Sequence, residues 1–206
     1  MLLWMMGVAL AQDPVPLWDQ VAMASGQPTW RTVDHVQFTW SHVPSSRART
    51  YDWNVPAGMV EVTMEPGAQS LTVPVFGTDL DGEQLDAHQA FVNDSYWLLF
   101  EFKAITDTVT RAEVSASGPF DTASAAYEVR YPVGGGYTPG DRYVVYVGEE
   151  GAPVGWSYFP GGSDEPRLST TRAGWTESSG IRVPTIFDTP DGQPFIRITD
   201  FQVTTY

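Results

Sequence analysis

The residues that could carry chemistry are few, and each lacks a neighbour its chemistry needs. A serine nucleophile wants a tight turn flanked by glycines, and the nearest stretch, Gly155-Trp156-Ser157-Tyr158-Phe159, has no second glycine. Asp79, Asp81 and Glu83 form a calcium-like cluster, but the downstream glutamate of an EF-hand is missing and His88 stands in that region. Asp81 followed by Gln84 reads instead as a helix-capping pair. His35, His42 and His88 fall on different elements at no metal-ligand spacing, so no metal site is expected. The glycine-rich stretch 134–141 lacks the Lys-Ser/Thr of a phosphate loop and leads into a strand, so it reads as a turn. Carboxylate pairs for glycoside hydrolysis need a separation of only ~5–9 Å, which any two strands could supply, so the 25 acidic residues decide nothing. With no cysteine in the chain, disulfides, thiolate zinc sites and thiol nucleophiles are excluded together. No catalytic residue, metal or cofactor is expected, and the protein reads as a non-enzyme.

Charge narrows the partners. The 206 residues carry 25 acidic against 11 basic groups, a formal charge of −14, which disfavours nucleic acid and anionic membrane surfaces. Residues 1–11 form an apolar run ending in Ala9-Leu10-Ala11, the pattern of a secretory signal peptide, with cleavage expected after Ala11. No later segment reaches the ~18 uncharged apolar residues of a membrane span. Residues 12–206 are expected to form one domain, periplasmic or secreted, without stable membrane insertion.

The elements that must position any site follow from hydrophobic period. Leu17, Val21 and Ala24 share a helical face in the stretch 14–26, with proline before and glycine after. From Thr32 the period becomes two: Val36, Phe38 and Trp40 share one face while His35, Gln37, Thr39 and Ser41 take the other. The alternation repeats at Tyr51, Trp53 and Val55, at Val60, Val62 and Met64, and at Leu71, Val73 and Val75, with short turns between, so an antiparallel meander is expected. A second helix is expected from Glu83 to Asp94, after which Ser95–Ile105 reads as a strand. Asn93 and Asp94 would brace the corner through neighbouring backbone. Six further strand-like stretches follow, from Thr106 to Tyr206.

Roughly ten strands laid flat would span nearly 50 Å, against helices of about 15–18 Å. The sheet is therefore expected to curl. The fold class expected is mainly β (α+β): a strongly curved antiparallel sheet forming an open barrel, with two or three short helices as lid or plug.

Three stretches in order, "RTYDWNVPAGMVEV", "FVNDSYWLLFEFK" and "GYTPGDRYVVYV", resemble uncharacterised exported bacterial proteins related to the periplasmic lipoprotein carriers, the LolA-like superfamily. The likeness spans roughly residues 15–203, and the Asn-Asp-x-Tyr-Trp run at Asn93–Trp97 is its most specific part. The chain departs from that pattern at Glu101, where relatives usually carry proline, and at Trp53, one place after Asp52. The resemblance implies a curved antiparallel sheet with a helical lid over an apolar cavity that holds acyl chains. Phe38, Trp40, Tyr51, Trp53, Val62, Met64, Leu71, Val73, Tyr96, Leu98, Phe100 and Phe102, on the apolar strand faces, are the expected ligand-binding residues. The function expected is an exported, non-catalytic protein holding a hydrophobic ligand, a lipid or acyl chain, with an envelope protein as a possible partner. The alternative is a structural or interaction protein of the cell envelope with a self-filled cavity.

Overall fold

The computed structural model describes residues 14–77, 79–134 and 137–206; the expected signal peptide at 1–11 lies outside these. The first helix, α1, covers Leu17–Ala24 and buries Val21 and Ala22. It ends where Ser25 Oγ donates to the Val21 carbonyl at 3.0 Å and Gly26 turns left-handed at φ +89°. A side chain is disfavoured there on space as well as on φ, since a Cβ on Gly26 would lie 1.9 Å from the Gly180 carbonyl oxygen unless the backbone shifts.

The expected antiparallel meander forms. Strands β1 (Val33–His42), β2 (Arg47–Asn54), β3 (Met59–Thr63) and β4 (Leu71–Pro74) pair in order, all antiparallel. Phe38 faces Tyr51, Tyr51 faces Val62 and Val62 faces Leu71. Val36, Trp53, Val60 and Val73 make a second apolar row on the same face. The strand β13 (Pro194–Thr205) joins β1 on its free side, and β12 (Ile186–Asp188) joins β13, giving a six-stranded sheet in the order β12-β13-β1-β2-β3-β4. A second antiparallel sheet takes β5 (Thr110–Val114), β6 (Ala123–Arg130), β7 (Arg142–Gly148), β8 (Pro153–Phe159) and β9 (Leu168–Thr171) in chain order. A small hairpin, β10 (Thr176–Ser178) with β11 (Ile181–Val183), completes the strands. The two large sheets meet through a bridge between Ala173 and Ile186 and a bond from the Asp188 amide to Thr171 Oγ1 at 2.9 Å.

The main correction concerns residues 95–106. They are not a strand but continue the helix, α2, which runs unbroken in hydrogen bonding from Gly82 to Thr106 with one non-helical residue, Leu99 (φ −121°, ψ 29°). Tyr96, Leu98, Phe100 and Phe102 therefore share no strand face. Aromatic density argued for a strand, but both sheets pack on this helix. It is buried nearly all round and shows no polar stripe to betray its period. Asp81 does stand at the N-cap, though its side chain makes no capping bond.

This longer helix also removes the reason for closure. At 25 residues α2 is about 37 Å long, roughly twice the length expected, and it reaches across both sheets. Among the described residues the protein is mainly β, built of three antiparallel sheets with helices, and no sheet closes into a barrel. The helical complement is not two or three short pieces, because one helix dominates it.

Candidate functional site: the buried face of the sheets and helix α2

The apolar face of the six-stranded sheet meets the first half of α2. Phe91 sits against the rings of Tyr51 and Trp53 at 5.7 and 5.3 Å between centroids. Past Phe91 the helix packs against both sheets at once. Trp97 packs edge-on to Trp156 and Phe187, at 5.0 and 5.2 Å, and Phe100 packs on Tyr143 and Trp156 at 5.1 and 5.0 Å. One apolar cluster thus runs from sheet to sheet through the helix.

All twelve expected binding residues belong to this cluster or its margin. Phe38, Trp40, Tyr51, Trp53, Val62 and Val73 are buried on the sheet, Met64 and Leu71 are half-buried at its edge. Leu98, Phe100 and Phe102 are buried from the helix side, with half-buried Tyr96 packed against them. The sheet residues line the face; the four from α2 are what covers it.

Two charged stations fasten α2 to the sheets. At the first, Asp94 Oδ2 accepts from Arg49 Nη1 at 2.8 Å and from the Tyr51 hydroxyl at 2.6 Å, while Asn93 donates to Oδ1 at 2.9 Å. The Arg49 guanidinium lies over the Trp40 ring at 4.9 Å. Asp94 is thus not the backbone brace expected at a corner: no corner exists there, and its partners come from β2. Burial pushes the Asp94 carboxyl up, with Arg49, Tyr51 and Asn93 pulling it down.

At the second station Glu101 meets Arg172, both side chains almost wholly buried. Both carboxylate oxygens approach one nitrogen, Nη2, at 2.6 and 2.8 Å. The guanidinium lies over the rings of Trp156 and Phe187 at 5.2 and 5.5 Å. The fully buried Tyr127 is close enough for its hydroxyl pKa to be pushed up, by burial first and by Glu101 second. Asp94 and Glu101 stand seven residues apart, two helical turns, and so issue from about the same side of α2.

A third polar group lies near the end of α2. Tyr96 and Tyr131 donate to Asp107 Oδ2 at 2.5 and 3.2 Å, and the Lys103 ammonium sits over the Tyr96 ring at 4.5 Å. Burial lowers the Lys103 pKa, with Asp107 opposing.

Sequence reasoning missed Arg49, Arg172, Tyr127, Trp156 and Phe187, and misread Asp94 and Glu101. The one available signal was the pair of lone carboxylates at i and i+7 in an otherwise apolar run. The other chemistry-bearing residues remain apart. Ser157 is buried, with Ser169 Oγ at 2.7 Å. His35 Nδ1 meets Asp52 at 2.8 Å on the outer face of the six-stranded sheet, and His88 bridges Tyr137 and the Val75 carbonyl. That outer face carries a shallow groove of about 340 Å³, lined by Gln37, Thr39, Thr50, Asp52, Glu61, Thr63, Asp200 and Gln202 with parts of Phe38 and Tyr51. No group of three metal-ligating side chains occurs among the described residues.

No protein-family model matches the chain, and no curated protein matches it.

Proposed function

We propose that the chain is an exported, non-catalytic binding protein that holds a hydrophobic ligand, a lipid or acyl chain, in an open barrel formed jointly by its two sheets, and that α2 fills this space in the ligand-free state. The observation that carries this reading is the way α2 is held. Two sheets present aromatic and aliphatic faces to one helix rather than to each other, and that helix is fastened by Asp94 and Glu101 through buried ion pairs. Well-packed apolar residues would serve stability as well or better, because the desolvation of two charges offsets their attraction. Charged fasteners suit a helical segment that leaves, since water solvates a released carboxylate while the apolar faces meet a ligand. The resemblance to the LolA-like carriers supports the same assignment. No helix of the described residues is long and apolar enough to cross a membrane. With a net charge of −14, loading depends on apolar contact or an envelope partner rather than attraction to anionic lipid.

The test is binding of a fluorescent acyl-chain probe to delipidated protein, with mass spectrometry of lipids that co-purify. Saturable binding little changed by salt is expected, as is a mature chain starting at Gln12. If no probe binds while near-ultraviolet dichroism shows the protein folded, the second reading takes over: a structural or interaction protein of the envelope. That reading is favoured by the completeness with which Phe91, Trp97 and Phe100 already fill the interior.

A further inference from the structure

The two stations that fasten α2 differ in how fully they are satisfied. At the first, one Arg49 nitrogen, Nε, is buried without a partner, but Asp94 gathers three donors and both its oxygens are engaged. At the other station Arg172 uses only Nη2; its Nε and Nη1 are buried without a partner, and so is the Tyr127 hydroxyl. Glu101 Oε1, though 2.6 Å from Nη2, receives no well-directed bond. A guanidinium offers five N–H donors in a planar fork, so most of this one is idle, and buried idle donors are costly to keep. The arrangement has spare capacity for an acceptor.

Its surroundings define the acceptor. The guanidinium is held in place over Trp156 and Phe187, and the walls are apolar, so a group arriving there must be polar at one end only. A single arginine balances a single negative charge. A carboxylate matches a two-donor edge of the fork and leaves no uncompensated charge in the interior, whereas a phosphate dianion would. Glu101 already fills the head's place with the same functional group. It stands two residues beyond the non-helical Leu99, while Asp94 lies before it. Segment 100–106 is therefore able to withdraw Glu101, with Phe100 and Phe102, while Asp94 keeps the rest of α2 on the six-stranded sheet.

We infer that Arg172 and Tyr127 form the receptor for the carboxylate head of a fatty-acid-like amphiphile, and that Glu101 occupies the head's position in the ligand-free protein. This rests on the carrier function proposed above and assigns the chemical class of its ligand.

Two probes of the same chain separate the claims: cis-parinaric acid and its methyl ester, titrated into delipidated protein at neutral pH. The acid is expected to bind about tenfold tighter than the ester, the scale of hydrogen bonds to a charged group. Arg172→Met should abolish the difference by weakening the acid alone, and Glu101→Gln should tighten the acid several-fold. Should either variant fail to fold by near-ultraviolet dichroism, Tyr127→Phe decides: it removes one hydroxyl and is expected to cut the acid's advantage while leaving the ester unchanged. Equal binding of acid and ester by the wild type overturns the head assignment and leaves the carrier function standing. Binding of neither probe to folded protein overturns both. An acyl phosphate-headed analogue that binds tighter than the acid overturns the choice of a carboxylate.

Discussion

The Asp94 station gives the sharpest test of how α2 is held. Asp94→Ala leaves Arg49, whose side chain is only 11% exposed, without its counter-charge, and leaves the buried Tyr51 hydroxyl without its acceptor. Removing one partner of a buried pair costs about 3–5 kcal/mol. Tyr51→Phe takes away a single bond to a charged acceptor and should cost about 1.5–3 kcal/mol. The triple replacement Arg49→Met, Tyr51→Phe and Asp94→Leu removes both charges together with the hydroxyl that would lose its acceptor, and should fall near wild type or above it. The pH dependence carries an independent sign. Burial raises the Asp94 pKa above its unfolded value of 3.8, so the native state keeps this proton where the unfolded chain has lost it. Its contribution to stability is therefore full below about pH 3.8 and is lost as pH rises through the raised value. Urea unfolding followed by tryptophan fluorescence measures all three variants at neutral pH, and the wild type across the acid range. If Asp94→Ala stays within about 1 kcal/mol of wild type at unchanged m, the station does not fasten the helix and the account fails.

Three further outcomes are expected. Phe100→Ala empties a fully buried position between Tyr143 and Trp156 and should lower stability by about 3–5 kcal/mol in urea titration of delipidated protein; a loss below about 1 kcal/mol would mean the site collapses around the gap. Tyr51 and Tyr127 are held by burial above their unfolded value of 10.0, so each keeps a proton that the unfolded chain releases above pH 10. At about 1.36 kcal/mol per pH unit each, these two alone lower stability by about 2.7 kcal/mol per unit there, the raised Tyr96, Tyr131, Tyr143 and Tyr158 steepen the fall, and tyrosinate absorbance equal to all nine tyrosines in protein still folded near pH 10 would refute it. Gly26→Ala places a Cβ 1.9 Å from the Gly180 oxygen, while Gly58→Ala meets nothing within 4 Å at a similar left-handed φ. Both carry the left-handed cost of about 1–2 kcal/mol, and thermal melting should show the Gly26 variant clearly the less stable of the two.

The meander was legible because every strand from β1 to β4 has one wet and one dry face, and alternation reports that asymmetry directly. The later strands β6, β7, β8 and β13 were legible instead from their β-branched and aromatic residues and the Gly, Pro and Asp that bound them, since β7 is buried on both faces and shows no alternation. Strand β10 and the short β9 were not, since three or four residues are too few to show a period, and β11 and most of β12 fall in one stretch, Ser179–Phe187, that reads as a single strand. Residues 95–106 misled because period is only visible when some face is exposed. The consecutive residues Trp97, Leu98, Leu99 and Phe100 are all buried, and at roughly 100° per residue they go right round α2, so polar residues marked no outer face. The site followed the same logic. The apolar sheet residues could be listed from alternation, whereas Arg49 on β2 and Arg172 just past the end of β9 are far from α2 in sequence, and only tertiary pairing gives them their meaning.

The place of β13 bears on how the chain acquires its structure. It lies between β12 and β1 in the six-stranded sheet, and β1 pairs with it from Val33 to His42. Everything between His42 and Pro194 must therefore be made before β1 finds its second neighbour, and until then the aromatic underside of the meander has α2 above it but an open edge beside it. Long-range pairings of this kind slow folding, because loop closure precedes the contacts that reward it. A chain that stays unfinished for so long is exposed to edge-to-edge association while it waits. Assembly of the sheet is then a late, all-or-nothing event rather than a stepwise growth from the first hairpin.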